Sequence, residues 1–531
     1  MKLYKWSLLL FLSVLCLSCM LVSCEKSKTE EISLSYRLKD DGTYAVSAGE
    51  NKDFTTLVIP AEYNGKPITE IDDEGFIRCG ALENLVIAPS ISRIGNKAFF
   101  ACSSLETVTL PAGVKTIGKQ AFTNTGTIEN LFVSDLSAWL NLTVEDGSAG
   151  PLHLGTRFYL KDQLLEELVI PEGVKHIRDS AFEGCNTLLS VAIPQSVESI
   201  GSKAFMGCDS LQTVTMEKGV QTIGTAAFSG CYYLSDIQLS DSLESISPYA
   251  FLGCMSLSGI TLPESLVTLE KGAFSCPRLV EIINYSSLEL TPGSLDAGGV
   301  ARFALEIHTG ESRLHREGEF LFYTASTGKH YLNRYLGNDA HITLPATCQG
   351  EQYEIGAYAL SEDFNHNQLL SVTVPEGITE LGDGAFQDCH LLEAVTLPES
   401  LTYIGHYAFA QTSLTAVVLP DGVKAVGENA FYSCRKLTSI DLGSGLESIG
   451  KGAFSMCASL QTVTVPASVT YIGASAFGGG YVGSIVFENP NGWYRYAEDG
   501  VAKEYISGED LPTAIRMEAM PGHTYHDYWR E

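Results

Sequence analysis

Positive charge is scarce: 34 Lys+Arg stand against 63 Asp+Glu in 531 residues, for a formal charge of −29, and no basic run interrupts the deficit. Each phosphate contact needs local Lys or Arg, so this field repels polyanions and excludes nucleic acid as a partner. Charged residues of both signs make up only 18% of the chain, which leaves little for the solvated faces of long amphipathic helices. Neither H-E-x-x-H nor G-x-S-x-G occurs, so the common zinc-hydrolase and serine-hydrolase signatures are missing. Gly328-Lys329 lacks the upstream Gly and the following Ser/Thr of a phosphate loop and reads as a hairpin turn. Beyond Val22 no stretch is long and apolar enough to cross a bilayer as a helix. What is present is 45% apolar residues and 50 Gly, a folded, turn-rich and mostly β chain.

Lys2 and Lys5 precede an apolar run from Trp6 to Val22, the charged and hydrophobic regions of a secretory signal over residues 1–23. The run ends Leu21-Val22-Ser23-Cys24, which resembles a bacterial lipobox and makes Cys24 the expected lipid-attachment residue. An ordinary cleaved signal is the alternative. Acyl chains contribute about 0.8 kcal/mol per buried methylene, so such an anchor holds without a spanning helix. Residues 24–33 then form a polar lipidated tether. The expected location is the outer membrane, at the cell surface or on the periplasmic face.

A period of 23 residues decides the fold. Phe182, Phe205, Phe228, Phe251 and Phe274 recur at that step, each preceded by Ala and all but Phe274 followed three residues later by Cys. The same step links Phe76, Phe99 and Phe122, and a third run, Phe386, Phe409, Phe431, Phe454 and Phe477, keeps it apart from one shorter step. Leu360 marks a degenerate copy. The unit is Leu-x-x-Val-x-Leu-Pro-x-x-Val-x-x-Ile-Gly-x-x-Ala-Phe-x-x-Cys. Val-x-Leu alternates as a short strand does, Pro ends it, and a second short apolar segment follows before Gly. One unit cannot bury its own apolar face, so copies must stack into a solenoid.

These residues resemble the BspA-like leucine-rich repeats of bacterial surface proteins over most of residues 34–483. The resemblance implies a β-solenoid and adhesion to host extracellular proteins or to other cells. Two gaps interrupt the copies. Gly328-Lys329-His330-Tyr331-Leu332 before Ile342-Thr343-Leu344-Pro345 parallels Gly42-Thr43-Tyr44-Ala45-Val46 before Leu57-Val58-Ile59-Pro60, so each of two arrays opens on a hairpin. The expected order is a first array over 34–283 decorated by an insert at about 123–160, an irregular linker over 284–318, a second hairpin and array over 319–483, and a cap over 484–531.

Eleven Cys lie beyond Cys24, an odd number that leaves at least one free. Nine occupy the position three after Phe, where stacked copies would hold parallel Cβ vectors ill suited to bridging. A line of one thiol per copy makes no tetrahedron and no C-x-x-C occurs among the eleven, and no metal site is expected anywhere in the chain. Cys348 alone has no place in the repeat. His523 and His526 read as part of the cap. No catalytic set and no cofactor is expected. The outward strand positions, such as Thr107 and Thr109 or Thr213 and Thr215, are small hydroxyls that can hydrogen-bond a broad partner, although β propensity alone also favours Thr.

The expected function is therefore non-enzymatic binding of a macromolecule, a host protein or another cell. A glycan-binding accessory role is the alternative if Trp139, Tyr159, Phe303, Phe320 and Tyr323 in the interruptions form an exposed stacking platform. An enzyme with its active site in an insert is the remote third reading.

Overall fold

Alternation in the first half of each copy does what its pattern requires. In Thr107–Leu110, Val108 and Leu110 are buried while Thr107 and Thr109 face outward half-exposed, and Pro111 stops the strand because it has no N–H to donate. A second strand of two residues, Thr116–Ile117, follows. The computed structural model describes residues 32–50, 52–146, 150–294, 299–361, 368–479, 482–496, 503–512, 515 and 526–530. The leader, Cys24, most of the tether and His523 lie outside the described residues. The chain divides into two compact units, one running through Ser134 and including Leu142–Pro151, the other comprising Asp135–Asn141 and the residues from Leu152 onward.

The first unit opens on an antiparallel pair, Leu34–Leu38 with Tyr44–Ala48, and the second of these strands then runs parallel to Lys66–Ile71. From there the two-residue strands Arg93–Ile94, Thr116–Ile117 and Thr143–Val144 add in parallel. Thr56–Val58, Asn84–Val86, Thr107–Leu110 and Asn130–Val133 form the second ladder. Phe76, Phe99 and Phe122 stack inside with centroids 5.5 and 5.2 Å apart. Part of the expected insert at 123–160 is thus another copy, Asn130–Val133, that lacks the terminal Pro.

The second unit repeats the plan in strict register, with Ser190 opposite Thr213 and Val191 opposite Val214. Phe182, Phe205, Phe228, Phe251 and Phe274 stack at 5.4, 5.1, 5.3 and 4.7 Å. A short helix, Leu136–Leu140, is capped by Asp135, whose side chain accepts from Ala138 N–H, and its Trp139 covers the start of this stack. The linker expected over 284–318 is more regular than its sequence: Glu306–His308 extends a sheet beside Glu281–Asn284, and Leu314–Glu317 is the first strand of the second opening, paired with Phe320–Thr324 and through it with His330–Tyr335. These strands carry neither the Pro nor the Phe of a full copy. Arg157–Leu160 turns back on Gln163–Leu164, and Glu167–Val169 already belongs to the parallel ladder. The second array then stacks from Tyr353–Ile355 to Tyr471–Ile472, its core contiguous from Phe322 to Tyr528. Ser484–Phe487 adds one more strand, and Tyr528–Arg530 closes the last two-residue strand antiparallel.

Stacking at this spacing explains two residue choices. A Cβ on Gly224 would lie 2.6 Å from the Ser202 nitrogen of the preceding copy, so the Ile-Gly step needs glycine for close backbone approach. The Cys three after Phe is chosen for its donor: Cys208, Cys231 and Cys254 each direct S–H at the Phe carbonyl one copy back, at 3.1, 3.2 and 3.4 Å. Thr412 stands in the same slot but donates to Phe409 O of its own copy, three residues back, at 2.9 Å. None of the eleven thiols beyond Cys24 is in a disulfide, and all are buried.

Burial pushes the Cys185 thiol from an ordinary value of 9.0 to about 11, and raises Cys208 and Cys254 well above the usual range. The unfolded chain ionises first, so the stability linked to Cys185 is complete below about pH 9 and is lost between pH 9 and 11, at ~1.4 kcal/mol per pH unit. Native protein at pH 8 is expected to leave the ten thiols other than Cys348 unreacted with a disulfide reagent, with reaction only on unfolding. Rapid labelling of any of these ten in the folded protein would contradict the packing.

Candidate functional site

On the outside runs a row of strand side chains, one per copy. In the second array it reads Thr343, Thr373, Thr396, Val418, Asp441, Thr464 and Val486, every one exposed. In the preceding array the equivalent positions are Val169, Ala192, Thr215, Gln238 and Thr261. Val169 and Val418 are each 68% exposed, so methyl groups are interspersed with hydroxyls along a row whose one charge is Asp441. Such a surface costs little to desolvate and offers donors and acceptors at each step. A depression lies beside the row at the same corner in each array. One is bounded by Gln238, Thr261, Pro263, Lys218 and Tyr285, the other by Val418, Pro420, Asp441, Thr464 and Glu488.

The five aromatics expected to make a stacking platform are not brought together. Trp139 is buried, donates Nε1–H to Ala181 O at 3.0 Å and lies under Arg178 at 4.4 Å. Tyr323 is fully buried with its hydroxyl on Glu306 at 2.8 Å. Phe303 packs edge-on against Tyr358, Phe320 packs against Tyr335, and Tyr159 sits half-buried in its hairpin. Aromatics in the interruptions serve as plugs for ladder ends, because an end of the stack exposes apolar rings that must be covered.

Between the two arrays of the second unit runs a buried polar joint that the sequence did not reveal. Arg278, 2% exposed, donates to Tyr358 O at 2.8 Å, Ser361 O at 2.7 Å and Met255 O at 3.3 Å. Asn333 donates to Arg278 O at 3.2 Å and accepts from Ser258 Oγ at 2.6 Å. Next to it Glu281 accepts from Arg313 N–H at 2.7 Å and from the Ser312 hydroxyl, and lies 3.1 Å from His308 Nε2. Ser, His and Glu are present, but the carboxylate stands between the other two, so the imidazole is spent on Glu281 and does not activate the hydroxyl. Glu306 is held below the ordinary carboxylate range: burial opposes ionisation, but the Ser326 and Tyr323 donors and Arg313 outweigh it.

Residues 26–139, 154–290 and 354–481 match the BspA type leucine rich repeat region, more than half of the chain. The chain belongs to this family. No curated protein matches it. Among solved structures, a leucine rich cell surface protein from Faecalibacterium prausnitzii is 23% identical, with 88% of this chain and 96% of that one covered and a TM-score of 0.34. A leucine-rich repeat protein from Bacteroides ovatus is 23% identical over 83% and 95%, with a TM-score of 0.38. The pneumococcal vaccine antigen PcpA is 18% identical over 87% and 98%, with a TM-score of 0.31.

The BspA-type repeat accounts for the ladder thiols, and the expectation of no metal ligands rests on them. Cys348 is elsewhere. The fold places its Sγ 3.3 Å from His315 Nε2, and His315, His330 and Cys348 hold ligand atoms all within 4.8 Å of one another. The available signal was the position of Cys348 off the ladder; its partners were hidden because they come from two other strands of the opening hairpin.

Proposed function

We propose that the protein is an exported, lipid-anchored, non-enzymatic surface protein that binds a macromolecule, a host extracellular protein or another cell, along its outward strand row. The observation that supports this is the row itself: regularly spaced, mostly exposed side chains with Asp441 as the single charge, and a depression alongside in each array. Burial of Trp139 and Tyr323 removes the platform that a glycan-binding reading needs. A binding array of the purified protein against extracellular-matrix proteins and polysaccharides tests the ligand class. Protein hits without polysaccharide hits are expected, and polysaccharide hits alone would overturn the reading. For the anchor, Cys24→Ala is expected to abolish metabolic palmitate labelling and to release the protein from the membrane fraction. A Cys24→Ala protein that still labels and sediments with membranes would remove the lipid anchor from the proposal.

A further inference from the structure

We propose that His315, His330 and Cys348 form a binding site for a zinc-type divalent cation, built into the opening of the second array. Three separate segments supply the ligands. His315 comes from the strand Leu314–Glu317, His330 from the strand His330–Tyr335, and Cys348 from the turn bridged to Glu351. Their ligand atoms converge within 4.8 Å of one another. Zinc bound at 2.0–2.1 Å to nitrogen and 2.3 Å to sulfur sets the two donors about 3.5 Å apart in a tetrahedron, and the His315 Nε2 to Cys348 Sγ distance is already 3.3 Å. Each imidazole is oriented from behind. His315 Nδ1 lies 3.3 Å from Arg313 O and His330 Nδ1 2.8 Å from Thr324 Oγ1, which leaves Nε2 of each for the cation, the arrangement by which outer partners fix the tautomer of a ligating histidine.

The two sides of the site differ. Cys348 and His330 are buried, whereas the side chain of His315 is 23% exposed and that of Glu317 is 36% exposed. Glu317 Oε1 lies 3.9 Å from both His315 Nε2 and Cys348 Sγ, so the fourth position opens toward solvent beside a carboxylate. Two imidazoles, one thiolate and a neighbouring oxygen donor suit zinc or cobalt rather than the thioether-supported copper sites. Bound there, the cation would tie the Cys348 turn to both outer strands of the hairpin on which the array begins.

The test is a cobalt titration of the metal-stripped full chain. Wild type is expected to take up about one equivalent per chain, with a sulfur-to-cobalt charge-transfer band and the visible bands of a four-coordinate ion, both bleached by zinc. Cys348→Ser is expected to lose the charge-transfer band, while Cys231→Ser, a ladder thiol, keeps it. His315→Ala, at a partly exposed position that leaves the core intact, is expected to weaken binding by ~10-fold or more, since even outer partners of a metal ligand are worth that much. Folded wild type without the band, or a band of undiminished strength in Cys348→Ser, would overturn the site.

Discussion

Phe228→Ala is expected to destabilise its array by roughly 3–5 kcal/mol, the cost of deleting a buried ring and leaving a cavity. Phe228 is fully buried, with Phe205 and Phe251 stacked on its two faces at 5.1 and 5.3 Å and nearly parallel. Intact copies lie two beyond on each side, so the effect cannot be assigned to an end. In a stack where each copy touches only its neighbours, the loss falls on adjacent copies. Amide exchange across residues 161–283 is expected to quicken while residues 354–483 stay protected. Equal loss of protection in both regions would show one cooperative unit and contradict two arrays.

Arg278→Met is expected to separate the arrays. The substitution keeps an unbranched apolar stem but removes the guanidinium that reaches Tyr358 O and Ser361 O; Tyr358 O keeps the Ser361 N–H and hydroxyl, so the loss falls on Ser361 O, at roughly 1–3 kcal/mol. The parallel ladders of the earlier array end at Thr268–Leu269 and Glu306–His308, so beyond them the joint depends on side chains such as Arg278. Calorimetry is expected to show two transitions further apart in Arg278→Met than in wild type. Arg278→Lys is not expected to restore the coupling, because a single ammonium cannot reproduce the planar fork. Unchanged transitions in Arg278→Met would remove this residue from the joint.

The repeat was legible because stacking imposes the same demand on every copy: one Phe, one Ile-Gly and one Val-x-Leu per 23 residues. What the copies do differently was not. The residue two after Phe is left-handed along the stack, and it is Gly at 184, 207, 230 and 253 but Asp388, Gln411, Ser433 and Met456 in the later array, so no composition marks it. The role of the ladder Cys was hidden because its acceptor, the Phe carbonyl, is backbone. At the candidate site the outward Thr row could be read directly from strand alternation. Trp139 and Tyr323 could not, since an aromatic within an interruption looks exposed in sequence and becomes a plug once the ladder ends need covering. Arg278 gave no sign at all: its partners lie 80 and 83 residues away.

The most direct test of the outward row as the binding surface compares three proteins on the same immobilised extracellular-matrix proteins. These are wild type, a row variant with Thr373→Arg, Thr396→Arg and Val418→Arg, and a control with Lys424→Ala and Glu447→Ala, an exposed ion pair on the other ladder. The three row positions are exposed, so the fold tolerates Arg there, while three cations would clash with a partner fitted to a row whose one charge is Asp441. Wild type and the control are expected to bind at least one of the proteins with similar affinity, and the row variant to lose it by ~10-fold or more, about 1.4 kcal/mol. Binding by the row variant equal to wild type, or no binding by wild type to any of them, would contradict the assignment.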